Sequence, residues 1–196
     1  MTIKISEYKF RTILEEYKHV ESLDEIPNFR EYDISEFISL SRMFDGCKLL
    51  KDISALSSWD VSNMCSFRSL FGNCKKLSDI SPIASWNVSE CSNFARMFTN
   101  CESLKDISPI ASWDVSKGIE FNSMFYECRT LQDISPLSSW NVSKALTFDG
   151  MFYDCKQLQD ISSLSSWDIS RCLSSKNMFK GCPIINVPKN LKQCFV

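Results

Sequence analysis

Phenylalanine recurs at Phe44, Phe71, Phe98, Phe125, Phe152 and Phe179, always 27 residues apart. Cysteine keeps the same interval at Cys47, Cys74, Cys101, Cys128, Cys155 and Cys182, and tryptophan keeps it at Trp59, Trp86, Trp113, Trp140 and Trp167. Three columns in one register constrain the fold more tightly than any local propensity. A period of this size makes each copy one coil of a solenoid, and a coil gains a core only by stacking on its neighbours. A doubly wound or sandwich domain is therefore disfavoured.

The ends of such a stack must differ from its middle, because open strands would otherwise be left on the first and last faces. Ile26 and the run Tyr32-Asp33-Ile34-Ser35 match parts of a unit, so a half-coil precedes the first full one. Upstream, Tyr8, Arg11, Ile13, Leu14 and Tyr17 fall near helical spacing behind a candidate N-cap at Ser6, which predicts a capping helix over residues 6–20. After Cys182, Ile185 continues the leucine column while Val187 and Pro188 replace its Asp-Ile, as in a truncated closing coil. The expected organisation is a cap over residues 1–39, five repeats over 40–174 and a C-terminal capping coil over 175–196.

Within a coil, Phe44, Cys47, Leu50, Ile53, Leu56 and Trp59 are three apart, a spacing that suits short extended pieces joined by bends. Trp59 and Val61 share a strand face, so the Trp column is expected to point inward. Phe121 to Cys128 spaces its apolar residues at 3, 4 and 7, which predicts one or two helical turns there. The fold class read from this is an α/β repeat solenoid with about two short strands and one short helix per coil.

Composition narrows the function. With 22 basic and 24 acidic side chains the bulk charge is not that of a nucleic-acid reader, and no apolar run approaches the roughly 20 residues of a membrane span. A single histidine, His19, and five glycines with no Gly-x-Gly or phosphate-loop pattern leave no catalytic constellation and no cofactor fingerprint. Residues 1–18 carry seven charged side chains and show no secretory pattern, so the ten cysteines are expected to be reduced thiols in a cytoplasmic or host-cytoplasmic setting.

Equivalent residues of successive coils become neighbours, so columns are the units of chemistry. Cys alternates with Phe and Leu at core spacing, which favours packing over bridging or zinc. Asp52, Asp79, Asp106, Asp133 and Asp160 form one acidic row, in which adjacent carboxylates repel by about 0.9 kcal/mol even in water. Each Asp is expected to accept the backbone N–H of the following Ser. No glycine-rich loop supplies the oxygens calcium needs, and a basic partner is the minor reading of this row. The alternating column Asp60, Asn87, Asp114, Asn141, Asp168 suggests amide-to-carboxylate bonds between coils. Positions that vary carry recognition: Tyr126 and Tyr153 should be adjacent, with Arg129 and Lys156 stacked beside them, and Tyr and Arg are favoured hot-spot residues.

The run Met124-Phe125-Tyr126-Glu127-Cys128-Arg129-Thr130-Leu131-Gln132-Asp133-Ile134-Ser135 resembles the BspA-like leucine-rich repeats. Ser-Trp-Asn-Val-Ser at 139–143 is similar to an element of the variant found in mycoplasma surface proteins. The resemblance covers about residues 26–186 and implies a right-handed leucine-rich-repeat stack that binds partners, with a cell-surface location by analogy. The function expected from residues and resemblance together is a non-enzymatic protein-binding scaffold. The alternatives are a self-assembling component, joined through its C-terminal edge, and a glycan-binding adhesin with outward Trp rings.

Overall fold

In a computed structural model, residues 2–195 are described, and they form a stack of 27-residue coils closed by distinct ends. Strand β1 (Ile3–Lys4) pairs in parallel with β2 (Tyr32–Asp33), and helix α1 (Glu7–Glu16) lies between them in the chain. The Ser6 hydroxyl accepts the Lys9 N–H and caps α1. The helix is shorter than its apolar spacing suggests, and it buries Phe10 and Leu14, whereas Tyr8 is 83% exposed. Phe10 is in ring contact with Phe29, Tyr32, Phe37 and Trp59, so α1 seals the open end of the core. Arg11 adds a polar seal by donating to the Ser41 carbonyl at 2.7 Å.

Each coil departs from the expected two strands and a helix. One strand is reduced to single-residue parallel bridges that link Ser39, Ser66, Asn93, Glu120, Thr147 and Ser174 in series. The segment through the Phe column is a ribbon of successive turns. Two residues per coil have positive φ there, for example Ser69 and Asn73, or Arg96 and Asn100. Alternate N–H groups then bond in two directions. Phe98 N–H reaches Met124 O of the next coil (2.9 Å) and Asn100 N–H reaches Tyr126 O (2.7 Å), while Met97 and Thr99 bond back to Phe94 and Arg96. Every backbone donor of the ribbon interior is thus satisfied without a helix.

Short helical turns sit elsewhere, after the Asp-Ile-Ser element: 3-10 segments span Ser54–Ser58, Ser81–Ile83, Ser108–Ile110, Ser135–Ser139 and Ser162–Ser166. Pro82, Pro109 and Pro136 fall in the first turn of their segments, where a missing N–H costs nothing. Both the 3-10 segments and the ribbon turns close bonds between residues three apart, which is the physical source of the period-three apolar pattern.

The core is continuous from Phe10 to Cys194. Phe44, Phe71, Phe98, Phe125, Phe152 and Phe179 stack ring on ring with centroids 5.5–5.8 Å apart. The Trp column points inward and is 3–8% exposed. At the C-terminal end the structure corrects one assignment: Ile185 does not continue the leucine column inward but is 74% exposed. Val187 and Pro188 cannot form the Asx turn that the Asp-Ile pair forms in other coils, so the chain swings out. A 3-10 segment, Lys189–Phe195, closes the end instead with buried Leu191 and Cys194.

Candidate functional site

The two tyrosines of the variable column come together as the spacing implies. Tyr126 and Tyr153 stack with centroids 4.7 Å apart and planes at 8°, and both are half-buried. Lys180 Nζ lies 5.9 Å from the Tyr153 ring centroid and extends the column by a cation–π contact. Burial, then the nearby Glu127 carboxylate, pushes the Tyr126 phenol above its ordinary value.

The two cations are ion-paired within their own coils: Arg129 bonds Glu127 at 2.6 Å, and Lys156 bonds Asp154 at 2.7 Å. Glu127 and Asp154 have positive φ, a turn geometry that brings side chains two residues apart together, which a helix would not do. The rim of the tyrosine pair is therefore ion-paired rather than a basic patch.

A polar pocket of about 320 Å³ adjoins Tyr126, lined by Asn73, Arg96, Thr99, Asn100 and Ser123. An amide ladder runs along it. Asp45 can only accept, so it takes Asn73 Nδ2 (2.8 Å), and Asn73 Oδ1 in turn takes Asn100 Nδ2 (2.8 Å). The polarity set at Asp45 leaves Asn100 Oδ1 buried without a donor. Sequence reasoning missed this feature, although Asn73 and Asn100 at one repeat position were its signal.

The acidic row is a structural device. Asp52, Asp79, Asp106, Asp133 and Asp160 each accept the N–H of the Ser two residues on, all at 2.8 Å. The alternating Asp/Asn column does the same within its own coil, so the expected bonds between coils do not form: Ser62, Ser116 and Ser170 donate to Asp60, Asp114 and Asp168 at 3.0 Å, and Ser89 and Ser143 to Asn87 and Asn141 at 3.2 Å. Side-chain oxygens reach their own turn more readily than the next coil.

Hydrogen bonds from the serines hold the Asp60, Asp114 and Asp168 carboxyls below the ordinary carboxylate value. A group with a lowered native pKa stabilises the fold above its unfolded value, about 3.9, and that contribution disappears as pH falls through the native one. The triple variant Asp60→Asn/Asp114→Asn/Asp168→Asn makes the column uniform with Asn87 and Asn141. It is expected to retain stability at pH 7 and to lose it less steeply in acid. Thermal unfolding from pH 7 to 2 measures this, and an unchanged acid slope speaks against the carboxylate role.

Six main-column thiols line the core, and five of them donate to the carbonyl of the Phe one coil back, Cys128 to Phe98 and Cys155 to Phe125 at 3.2 Å among them. Trp rings work alike: Trp86, Trp113, Trp140 and Trp167 donate Nε1 to the 3-10 segment of the preceding coil at 2.9–3.3 Å. Buried, they offer no surface platform for a sugar ring. His19 stacks on Tyr17, with centroids 6.4 Å apart. Among the described residues no three His, Cys, Asp or Glu side chains are grouped to hold a metal ion, and no helix is long and apolar enough to cross a membrane.

A family model described as "Mycoplasma protein of unknown function, DUF285" matches residues 11–135 and 107–191. No curated protein matches the chain.

Proposed function

We propose that this chain, which belongs to the DUF285 family, is a non-enzymatic scaffold that binds another protein through the face carrying Tyr126 and Tyr153. The observation that supports this is the pair of parallel, half-buried rings beside a polar pocket. Two aromatic side chains already fixed by stacking lose little conformational entropy on binding and are favoured anchors. Their ion-paired rim can exclude water without adding net charge. We further read the stack as a right-handed, BspA-like leucine-rich-repeat solenoid. Its setting is a reducing, cytoplasm-like compartment, supported by ten free thiols of which most are packed inside.

Quantitative mass spectrometry of proteins captured from the native source tests the binding reading, with Tyr126→Ala/Tyr153→Ala run in parallel. A stoichiometric partner whose recovery falls about tenfold or more in the double variant is expected, as for loss of a hot spot worth roughly 2 kcal/mol. Equal recovery by both chains would remove the tyrosine face from the proposal. A second reading, self-assembly through the C-terminal edge, is favoured by the backbone donors of the last ribbon: Ser175, Asn177 and Gly181 N–H have no acceptor among the described residues.

A further inference from the structure

Charge is divided along the stack. Residues 1–39 carry nine acidic and five basic side chains, a net of −4, whereas residues 169–196 carry Arg171, Lys176, Lys180, Lys189 and Lys192 with no Asp or Glu, a net of +5. All five cations of the last coil and its cap are exposed, and none forms an ion pair among the described residues. At the other end, Glu16 and Glu31 are exposed and likewise unpaired.

Apolar exposure follows the same division. The four most exposed large hydrophobic side chains are Tyr8 (83%) and Ile38 (65%) in the N-terminal cap and Leu173 (81%) and Ile185 (74%) at the C-terminal end. Ile38 and Leu173 occupy one repeat column, separated by five 27-residue coils. Interior coils, by contrast, bury nearly all their apolar side chains.

We propose that the chain associates head to tail, the basic last coil of one copy seating on the acidic N-terminal cap of the next. Opposite net charges and an apolar contact at both ends are complementary between copies but not within one, so the contact is heterologous. Arg11 of helix α1 already occupies the Ser41 carbonyl at the acceptor edge of the first coil, which favours copies meeting cap against coil over pairing of ribbon edges. A contact of this kind propagates into linear arrays rather than closing as a two-fold dimer. Head-to-tail association deepens the self-assembly reading and rests on it, with charge and exposed apolar side chains, rather than the open donors of the last ribbon, making the contact, while partner capture by Tyr126 and Tyr153 stands or falls separately.

Sedimentation velocity over micromolar to millimolar protein tests the contact, at about 10 mM salt, where charges act over roughly 30 Å, and at about 1 M, where they act over roughly 3 Å. At low salt the weight-average mass is expected to rise with concentration above the 22.6 kDa of one chain, and at high salt to return to it. One variant, Lys176→Glu/Lys189→Glu/Lys192→Glu, makes both ends acidic; another, Glu16→Lys/Glu31→Lys/Glu36→Lys, makes both basic and also removes the exposed Glu36 partner of Lys4 (3.7 Å). Each alone is expected to stay monomeric, and an equimolar mixture to regain association, which also shows that both chains remain folded. Monomers at every concentration in low salt would overturn the proposal and leave the lysines as guards of an open edge. Association that persists in either single variant, or a mixture that stays monomeric, would overturn it equally.

Discussion

Trp113→Ala is expected to destabilise the fold by about 3–5 kcal/mol, because it removes a large inward ring from a core that has no spare side chains to collapse into the gap. In a chain of 196 residues that corresponds to a loss of roughly 6–20 °C in melting temperature. Trp113→Phe isolates the polar part of the effect. Phenylalanine keeps most of the apolar contact but loses the Nε1 bond to the Ile83 carbonyl (3.3 Å), a group whose other lone pair takes the Trp86 N–H. Trp59 supplies the control within the same molecule. Its Nε1 is buried and finds no partner, since a half-coil with a different backbone precedes it. Trp59→Phe should therefore cost about 1 kcal/mol less than Trp113→Phe, the net worth of one hydrogen bond. Urea unfolding of the two variants measures the difference. Equal costs would mean that the indole bonds between coils contribute nothing and that ring volume alone holds the column.

Much of this architecture was legible because it repeats. A column of Trp or Cys at 27 residues states its own neighbours, and the adjacency of Tyr126 and Tyr153 followed from the same interval. Asp followed two residues later by Ser was likewise readable as an Asx turn, because the reach of the side chain is local. What misled was the spacing 3, 4, 7 in Phe121 to Cys128, which a helix and a run of successive turns share. The discriminating signal lay in a different column: Gly46, Asn73, Asn100 and Gly181 stand at one repeat position, and Gly150 and Asn177 at another, both of positive φ. Glycine and asparagine are the residues that tolerate that region. Missing this turn geometry also hid the Arg129–Glu127 and Lys156–Asp154 pairs, since residues two apart point away from one another in the expected helix but meet across a positive-φ turn.

The thiols give the second large expected effect. With an aromatic disulfide reagent at neutral pH, exposed Cys65 is expected to react at the rate of a free thiol, followed by half-buried Cys172 and Cys182. Seven buried cysteines should react only through opening of the stack, roughly a thousandfold or more slower for a domain of ordinary stability. Burial acts on their chemistry as well as their access: it pushes the Cys47 thiol to about 11 and Cys91 to about 12, so little thiolate exists to attack even when reagent arrives. The slow phase should accelerate in step with urea-induced unfolding. Reaction of all ten thiols in a single fast phase would contradict the packed column, and fewer than ten after complete unfolding would mean that some are bridged. The chemistry also bears on why cysteine stands there at all. At a site walled by Phe and Leu, its thiol fills the space of a small hydrophobe yet still donates to a Phe carbonyl one coil back. Cys128→Ala removes the sulfur, and with it both its packing and its donor, so its cost, measured against Cys65→Ala as a surface control, reads the combined contribution of the buried thiol.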